Sequence, residues 1–330
     1  MMTASRVTRN SALFTIACLL GMSAALLSSG CRNRSVSVAV IPRTTGTPFW
    51  ESFHQGVVET SSPLGIHVYW NAPVHESDAD KQLRLLAACS KQGYQGFILA
   101  PDLTLTFRSA VQGLMERKIP TVIVNDKLGP DPGPYLSYVM NNENEGARAA
   151  AEYTVNLLHR RGNIAILGIA AQREMYAQRA IAVERELRQR APDIHVVSRQ
   201  ADDALVAHQQ YLVQEILKGK DHIDAILALS SISTRGAIEA MLADGQHSIP
   251  IIGFDQETAA PLRSGYLRAV VVEDTHQIGE LAMHNLIRQM QGNPVAGYTY
   301  VSPVLITKEN LDANQDRFFS GGTHYAWRKQ

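Results

Sequence analysis

The chain predicts an α/β protein built as two doubly wound parallel-sheet lobes, and three observations carry that expectation. Short apolar runs alternate with helical patterns, and the runs are continuous rather than alternating in polarity. The series also occurs twice, on either side of a proline- and glycine-rich loop, Gly129-Pro-Asp-Pro-Gly-Pro134. Continuous apolar strands mark a parallel sheet buried on both faces, with helices as the crossovers. A length of 330 residues suggests about two domains, each long enough for its own core.

The first strand is expected at 35–41, a β-rich run ending in Ala-Val-Ile. After a turn-rich segment at 42–47, Pro48 opens a helix carrying Phe49, Trp50, Phe53 and Val57. Proline suits the first helical position, where its missing N–H costs nothing. A strand at 66–70, a helix at 78–92 stopped by Gly93, a strand at 96–100, a helix at 106–117 and a strand at 121–124 continue the first series. Beyond the loop come a strand at 136–140 and a long helix at 142–160. The second series then reads strand 163–169, helix 174–190, strand 195–198, helix 205–218, strand 225–229, helix 234–244 and strand 249–253. Ligands of doubly wound sheets sit outside the carboxyl ends of the strands, so facing lobes place a site in the cleft between them.

The N-terminus reads as an export signal. Arg6 and Arg9 precede an apolar run over 11–27, and Ser28-Ser-Gly30 leads into Cys31. The Leu27-Ser-Ser-Gly-Cys31 ending resembles a lipobox, which implies cleavage before Cys31 and lipidation of its thiol; the alternative is an ordinary signal peptide with an incidental cysteine. Removing 1–30 leaves 29 basic and 31 acidic residues, a net charge of −2, without the basic stripe of a nucleic-acid binder. Cys89, in an apolar helical stretch, is the only cysteine left besides Cys31, so no internal disulfide framework is expected. It reads as a small core residue. The phosphate-loop, nucleophile-elbow, zinc-protease and paired-cysteine motifs are absent. Asp221-His-Ile-Asp224 reads as a solvated turn. No catalytic, metal or cofactor site is expected, and binding is the better reading.

Several segments, in order, resemble the type I periplasmic sugar-binding proteins, the ribose-binding-protein family, over about 35–311. They are Thr47-Pro-Phe-Trp50, Ile119-Pro-Thr-Val-Ile-Val-Asn-Asp126, Ile251-Ile-Gly-Phe-Asp255, Gly265-Tyr-Leu-Arg-Ala269 with His276-Gln-Ile-Gly-Glu280, and Val304-Leu-Ile-Thr-Lys-Glu-Asn310. The resemblance implies three interlobe crossings, near Asn141, Ala269 and Gly297, that form a hinge. The expected organisation is a leader at 1–30, a first lobe of 31–141 plus 270–297, a second of 142–269 plus 298–312, and a tail at 313–330. The same fold serves repressors of the lac repressor type, but only the leader and Cys31-Arg-Asn-Arg34 precede the first strand, so no DNA-reading element is expected.

A sugar needs flat aromatic surfaces for its faces and planar polar groups for its hydroxyls, with charge-assisted hydrogen bonds the strongest. The resemblance puts Phe49 and Trp50 at an aromatic platform, although their helical spacing with Phe53 and Val57 also suits a core. It puts Asn125 and Asp126 after one strand, Asp255 after another and Glu273 near the hinge. Asp255 can instead cap a turn, and Glu273 can instead form a salt bridge. The family's Asn-Asp pair is Ser230-Ser231 here, and its ligand arginine aligns with Ala177. Arg173 or Arg179 is the substitute, Arg179 also matching a structural arginine that opens the helix. Together with Arg43 and Thr47, these departures argue against ribose and leave another pentose, a hexose, a polyol or a furanose-like signal open.

The resulting expectation is an exported, lipid-anchored, monomeric solute-binding protein, in the periplasm or at the cell surface. It captures a carbohydrate-like ligand by hinge closure for the permease of an ABC importer. A sensor lipoprotein that signals to a membrane histidine kinase or chemoreceptor, and an exported enzyme on the same scaffold, are the alternatives.

Overall fold

Each strand that read as a continuous apolar run lies inside a sheet with helices on both faces. The computed structural model describes residues 36–314, apart from 76, 77, 172, 204, 246–248 and 256–258. The expected leader, Cys31 and all but the first two residues of the expected tail lie outside the described residues. The first lobe starts with β1 (Ser37–Ile41), α1 (Pro48–Ser61), β2 (His67–Trp70), α2 (Ala79–Gln92), β3 (Gly96–Leu99), α3 (Thr104–Glu116), β4 (Thr121–Val124) and β5 (Leu136–Asn141). The second holds α4 (Glu143–Leu157), β6 (Arg161–Ile169), α5 (Glu174–Arg190), β7 (Asp193–Ala201), α6 (Val206–Lys218), β8 (Ala225–Ala228), α7 (Ser231–Asp244), β9 (Ile251–Phe254), α8 (Ala259–Ser264) and β10 (Leu267–Val272). The chain then returns to the first lobe as α9 (Thr275–Met290) and β11 (Tyr298–Val301), and ends in the second as β12 (Val304–Thr307).

The sheet orders are β11-β5-β4-β3-β1-β2 and β12-β10-β9-β8-β6-β7. All pairings are parallel except that of β12 with β10. Successive residues of a strand face opposite layers, and in the first lobe both layers are apolar. Val38, Val40, Val122 and Val124 meet α1 and α9 through Phe53, Val57, Ile278 and Ala282. Ala39, Phe97, Leu99 and Ile123 meet α2 and α3 through Leu86, Cys89, Phe107 and Val111. The second lobe is built the same way, with α4 and α5 on one face and α6, α7 and α8 on the other.

Local signals explain the helix starts. Thr47 accepts from the Trp50 amide ahead of Pro48, Asp78 caps α2, and Gly93 ends α2 at φ 82°. The α1–α9 crossing is tight. A Cβ on Gly56 would lie 2.2 Å from the His276 carbonyl oxygen, and one on Gly279 would lie 2.1 Å from that of Phe53.

The crossings between lobes fall at Asn142, at 273–274 and at 302–303. The second and third differ from the positions expected near Ala269 and Gly297. β10 keeps pairing with β12 up to Val272, so 270–272 belong to the second lobe. β11 adds to the edge of the first sheet in register with β5, Tyr298 opposite Tyr138, so 298–301 belong to the first lobe.

Candidate functional site

Two strand ends, one in each lobe, repeat the same local geometry. Asn125 follows β4 at φ 67° and donates its amide to the Val139 carbonyl of β5 at 3.1 Å. Asp255 follows β9 at φ 82° and donates to the Val271 carbonyl of β10 at 2.8 Å. Both are buried. A left-handed backbone at a non-glycine residue costs about 1–3 kcal/mol and concentrates at binding sites, where the neighbouring structure holds it in place. Here the next parallel strand holds it.

Toward the lobe junction, two acids of the first lobe bind the segment that opens α5. Asp102, after β3, takes a 2.7 Å ion pair from Arg173 Nη2. Asp126 accepts from the Met175 amide at 2.8 Å through Oδ1 and pairs with Arg43 through Oδ2. Arg43 also donates to the Pro101 carbonyl. All four charged side chains are buried. Asp126 thus ties its own lobe to the other, with both oxygens engaged.

A second polar group centres on Arg179 of α5, which is wholly buried. Nε donates to Glu143 Oε2 at 2.6 Å; Nη2 donates to Glu273 Oε1 at 2.7 Å and to Glu143 Oε1 at 3.2 Å. Nη1 donates to the Leu229 carbonyl at 2.6 Å and lies 3.6 Å from Asp255 Oδ2. A guanidinium has five N–H donors; protein acceptors take four of them in hydrogen bonds, with the Asp255 carboxylate 3.6 Å from Nη1. Phe254 stacks beneath it, 4.4 Å from its ring centre. Arg179 therefore orients carboxylates rather than offering a donor to a ligand. Burial by itself would lower its pKa, but Glu143, Asp255 and Glu273 more than offset that and keep it charged.

The carboxyl groups around it respond oppositely. Burial pushes the Asp255 carboxyl up, with Arg179 opposing and Glu143 adding to the rise. Burial and the neighbouring Asp255 push Glu273 well above the usual carboxylate range. Asn141, at the end of β5, donates to Glu143 Oε1 at 2.9 Å. Its Oδ1, like Asn125 Oδ1, is buried without a hydrogen-bond partner among the described residues.

The other expected contacts are placed differently. Trp50 packs edge-on to Phe49 and Phe53 inside the first-lobe core, while Phe49 is only half-buried against that core. Ser230 is the N-cap of α7: it accepts from the Ser233 amide and donates to Asp202 Oδ2 at 2.8 Å. That cap starts the helix three residues before the expected position 234. A cavity of about 480 Å³ lies beside this region, lined by residues including Leu103, Thr104, Arg108, Lys127 and Ala171, and by none of the expected site residues. Sequence reading missed Glu143, Asn141 and Asp102. The available signal was an acid in the first turn of a helix just past a crossing, which also reads as ordinary charge complementing a helix dipole.

Two parallel-sheet lobes with buried polar groups at their strand ends, Asp102 and Asp126 reaching across to the segment that opens α5, define a two-lobed α/β binding-protein architecture. Residues 38–294 match the family of the periplasmic binding protein domain, and the chain belongs to that family. It is similar to the ribose import binding protein of Bacillus subtilis, 22% identical over 261 residues that cover 77% of this chain and 82% of the relative. The D-apiose import binding protein of Paraburkholderia graminis is 21% identical, covering 86% of this chain and 91% of the relative. Among solved structures, an ABC transporter solute-binding protein from Agrobacterium vitis with bound D-fucose superposes with a TM-score of 0.79 at 20% identity, covering 86% of this chain and 99% of that one. A carbohydrate transporter solute-binding protein from Agrobacterium radiobacter, in complex with D-arabinose, gives 0.79 at 18% identity, covering 86% and 98%. These structures share the fold.

Proposed function

We propose that this protein captures a sugar or sugar-like small molecule between its lobes and delivers it to the membrane permease of an ABC importer. The observation that carries this reading is the pair of strained, buried strand-end residues, Asn125 and Asp255, one from each lobe, beside polar groups that tie the lobes together. The relatives point the same way, being import binding proteins for ribose and D-apiose. In this reading Asn125, Asp255 and Glu273 meet the hydroxyl rim of the ligand, and Phe49 meets an apolar face. Asp126, Arg179, Ser230 and Trp50 hold those groups in place. An open and a closed form exchange, and the ligand favours closure through contacts made only when both lobes reach it. Export behind residues 1–30 and a lipid anchor on Cys31 complete the proposal, placing capture on the outer side of a membrane.

The test is thermal unfolding of the purified protein against pentoses, hexoses, polyols and nucleosides at ~1 mM. A ligand with a micromolar dissociation constant adds about 4 kcal/mol, a shift of several degrees for lobes of this size. Asp255→Ala should abolish the shift while leaving the unliganded protein folded. A flat response across the panel refutes the sugar reading.

A further inference from the structure

Beside the lobe junction, the cavity of about 480 Å³ has a charge of its own. Two cations line it, Arg108 of α3 and Lys127 after β4, and no acid does so among the described residues. The neighbouring acids at the strand ends, Asp102 and Asp126, are already paired with Arg173 and Arg43. Asp131, which acts on Lys127, is outside the lining. Arg108 is held in place. Its Nε donates to the Leu128 carbonyl at 3.0 Å, and its guanidinium lies against Gly129, whose φ is 99°. A Cβ there would sit 2.5 Å from Nη2, so the bare glycine makes the room. Nη1 and Nη2 have no hydrogen-bond or ion-pair partner among the described residues. Lys127 Nζ stands 5.3 Å from the centre of the Tyr298 ring. Thr104, also in the lining, keeps Oγ1 buried without a hydrogen-bond partner, and no side chain caps the helix it begins. Ala171 closes the cavity from the second lobe. What this wall lacks is acceptors and negative charge.

We propose that this cavity is a second ligand site, taking a small phosphate monoester of sugar or polyol size with its phosphate against Arg108, Lys127 and Thr104. The site goes beyond the sugar-capture reading and shares no residue with it. A phosphate monoester carries close to two negative charges at neutral pH and three strong acceptor oxygens. That matches two cations, a fork of N–H donors and a hydroxyl. A carboxylate brings one charge and two oxygens. The volume is that of a small-molecule site rather than of a bare ion, which leaves room for the organic part.

The experiment is isothermal titration calorimetry of the purified protein with glucose 6-phosphate, ribose 5-phosphate and glycerol 3-phosphate. Inorganic phosphate and glucuronate are the comparisons, in a phosphate-free buffer at constant ionic strength, because salt screens exposed charges. At least one ester should bind about tenfold or more tighter than either comparison. Arg108→Gln and Lys127→Gln should each weaken that ester about tenfold or more, as loss of a hydrogen bond to a charged group does. Both side chains are exposed, so the melting curves should stay those of the parent. Asp255→Ala should leave ester binding within about twofold, which separates this site from the sugar cleft. No ester binding, an ester no tighter than inorganic phosphate or glucuronate, binding that survives both substitutions, or binding lost in Asp255→Ala overturns the proposal. None of these outcomes decides sugar capture, which the panel of neutral sugars tests by itself.

Discussion

Removing the Arg173–Asp102 ion pair should open the protein without unfolding it. The pair joins the segment that opens α5 in the second lobe to the end of β3 in the first, at 2.7 Å, with side chains 8% and 2% exposed. Breaking a buried pair by deleting one partner costs about 3–5 kcal/mol when the other stays buried. Here the other has an escape, because lobe separation returns Asp102 to water. The penalty on closure is then limited to what closure gains from the pair, on the order of 2–3 kcal/mol. Arg173→Met keeps most of the side-chain stem and should weaken the tightest ligand of the panel by about 30- to 150-fold. The unliganded melting temperature should move by no more than a degree or two, since the open form loses little. Asp102→Asn should behave alike, and the double variant should lose less than the sum of the two, as partners in one interaction do. The assay is ligand titration by calorimetry, with small-angle scattering of the unliganded protein to follow opening. A loss of affinity under threefold, or an unliganded melting temperature that falls as far as the liganded one, would refute the reasoning.

Three further outcomes follow from the geometry. Gly279→Ala should destabilise by about 1–3 kcal/mol or more in urea unfolding, because its Cβ would lie 2.1 Å from the Phe53 carbonyl oxygen and the helices would have to part. Trp50→Ala should cost about 3–5 kcal/mol of stability as a core deletion, whereas Phe49→Ala should lower affinity at a smaller cost in stability; equal stability losses would contradict this assignment. Folding raises the Glu273 carboxyl above its ordinary 4.5, so the folded protein retains a proton that the unfolded chain gives up. That contribution is whole below about 4.5 and is lost as pH rises through the folded value. Between pH 5 and 8 the urea midpoint of Glu273→Gln should therefore fall less than that of the parent; parallel curves would refute the assignment.

Much of the fold was legible because each lobe repeats a simple pattern. Residues 121–124 read as one apolar run because β4 has a helical layer on each side, and Gly93 marked a helix end because its φ of 82° is one that glycine adopts freely. The start of α7 was misread because Ser230 and Ser233 cap one another before any apolar period begins. The crossings were misplaced because a crossing lies where pairing stops, and β10 pairs with β12, more than thirty positions further on. At the site, Asp255 was legible as an acid at a strand end. The partners of Arg179 lie 36, 50 and 94 positions away, so no local pattern announces them. Trp50 was ambiguous for the same reason: Ile278 and Ala282 of α9 share its core cluster, and they come more than two hundred residues later.

The return of α9 and β11 to the first lobe also constrains the order in which the protein folds. Until residues 275–301 are available, α1 alone covers its face of the first sheet and the outer edge of β5 has no partner strand. The second lobe is contiguous over 143–272 and waits only for β12 at one edge. A chain emerging from its N-terminus therefore builds its first lobe apart from one helix and one edge strand, and must hold the apolar surface that helix will cover until nearly the last strand arrives. Long-range closure of this kind is slow, and the waiting intermediate is prone to aggregation. The lobe that begins first is completed last, and its exposed valine-rich sheet is where a folding helper would be needed.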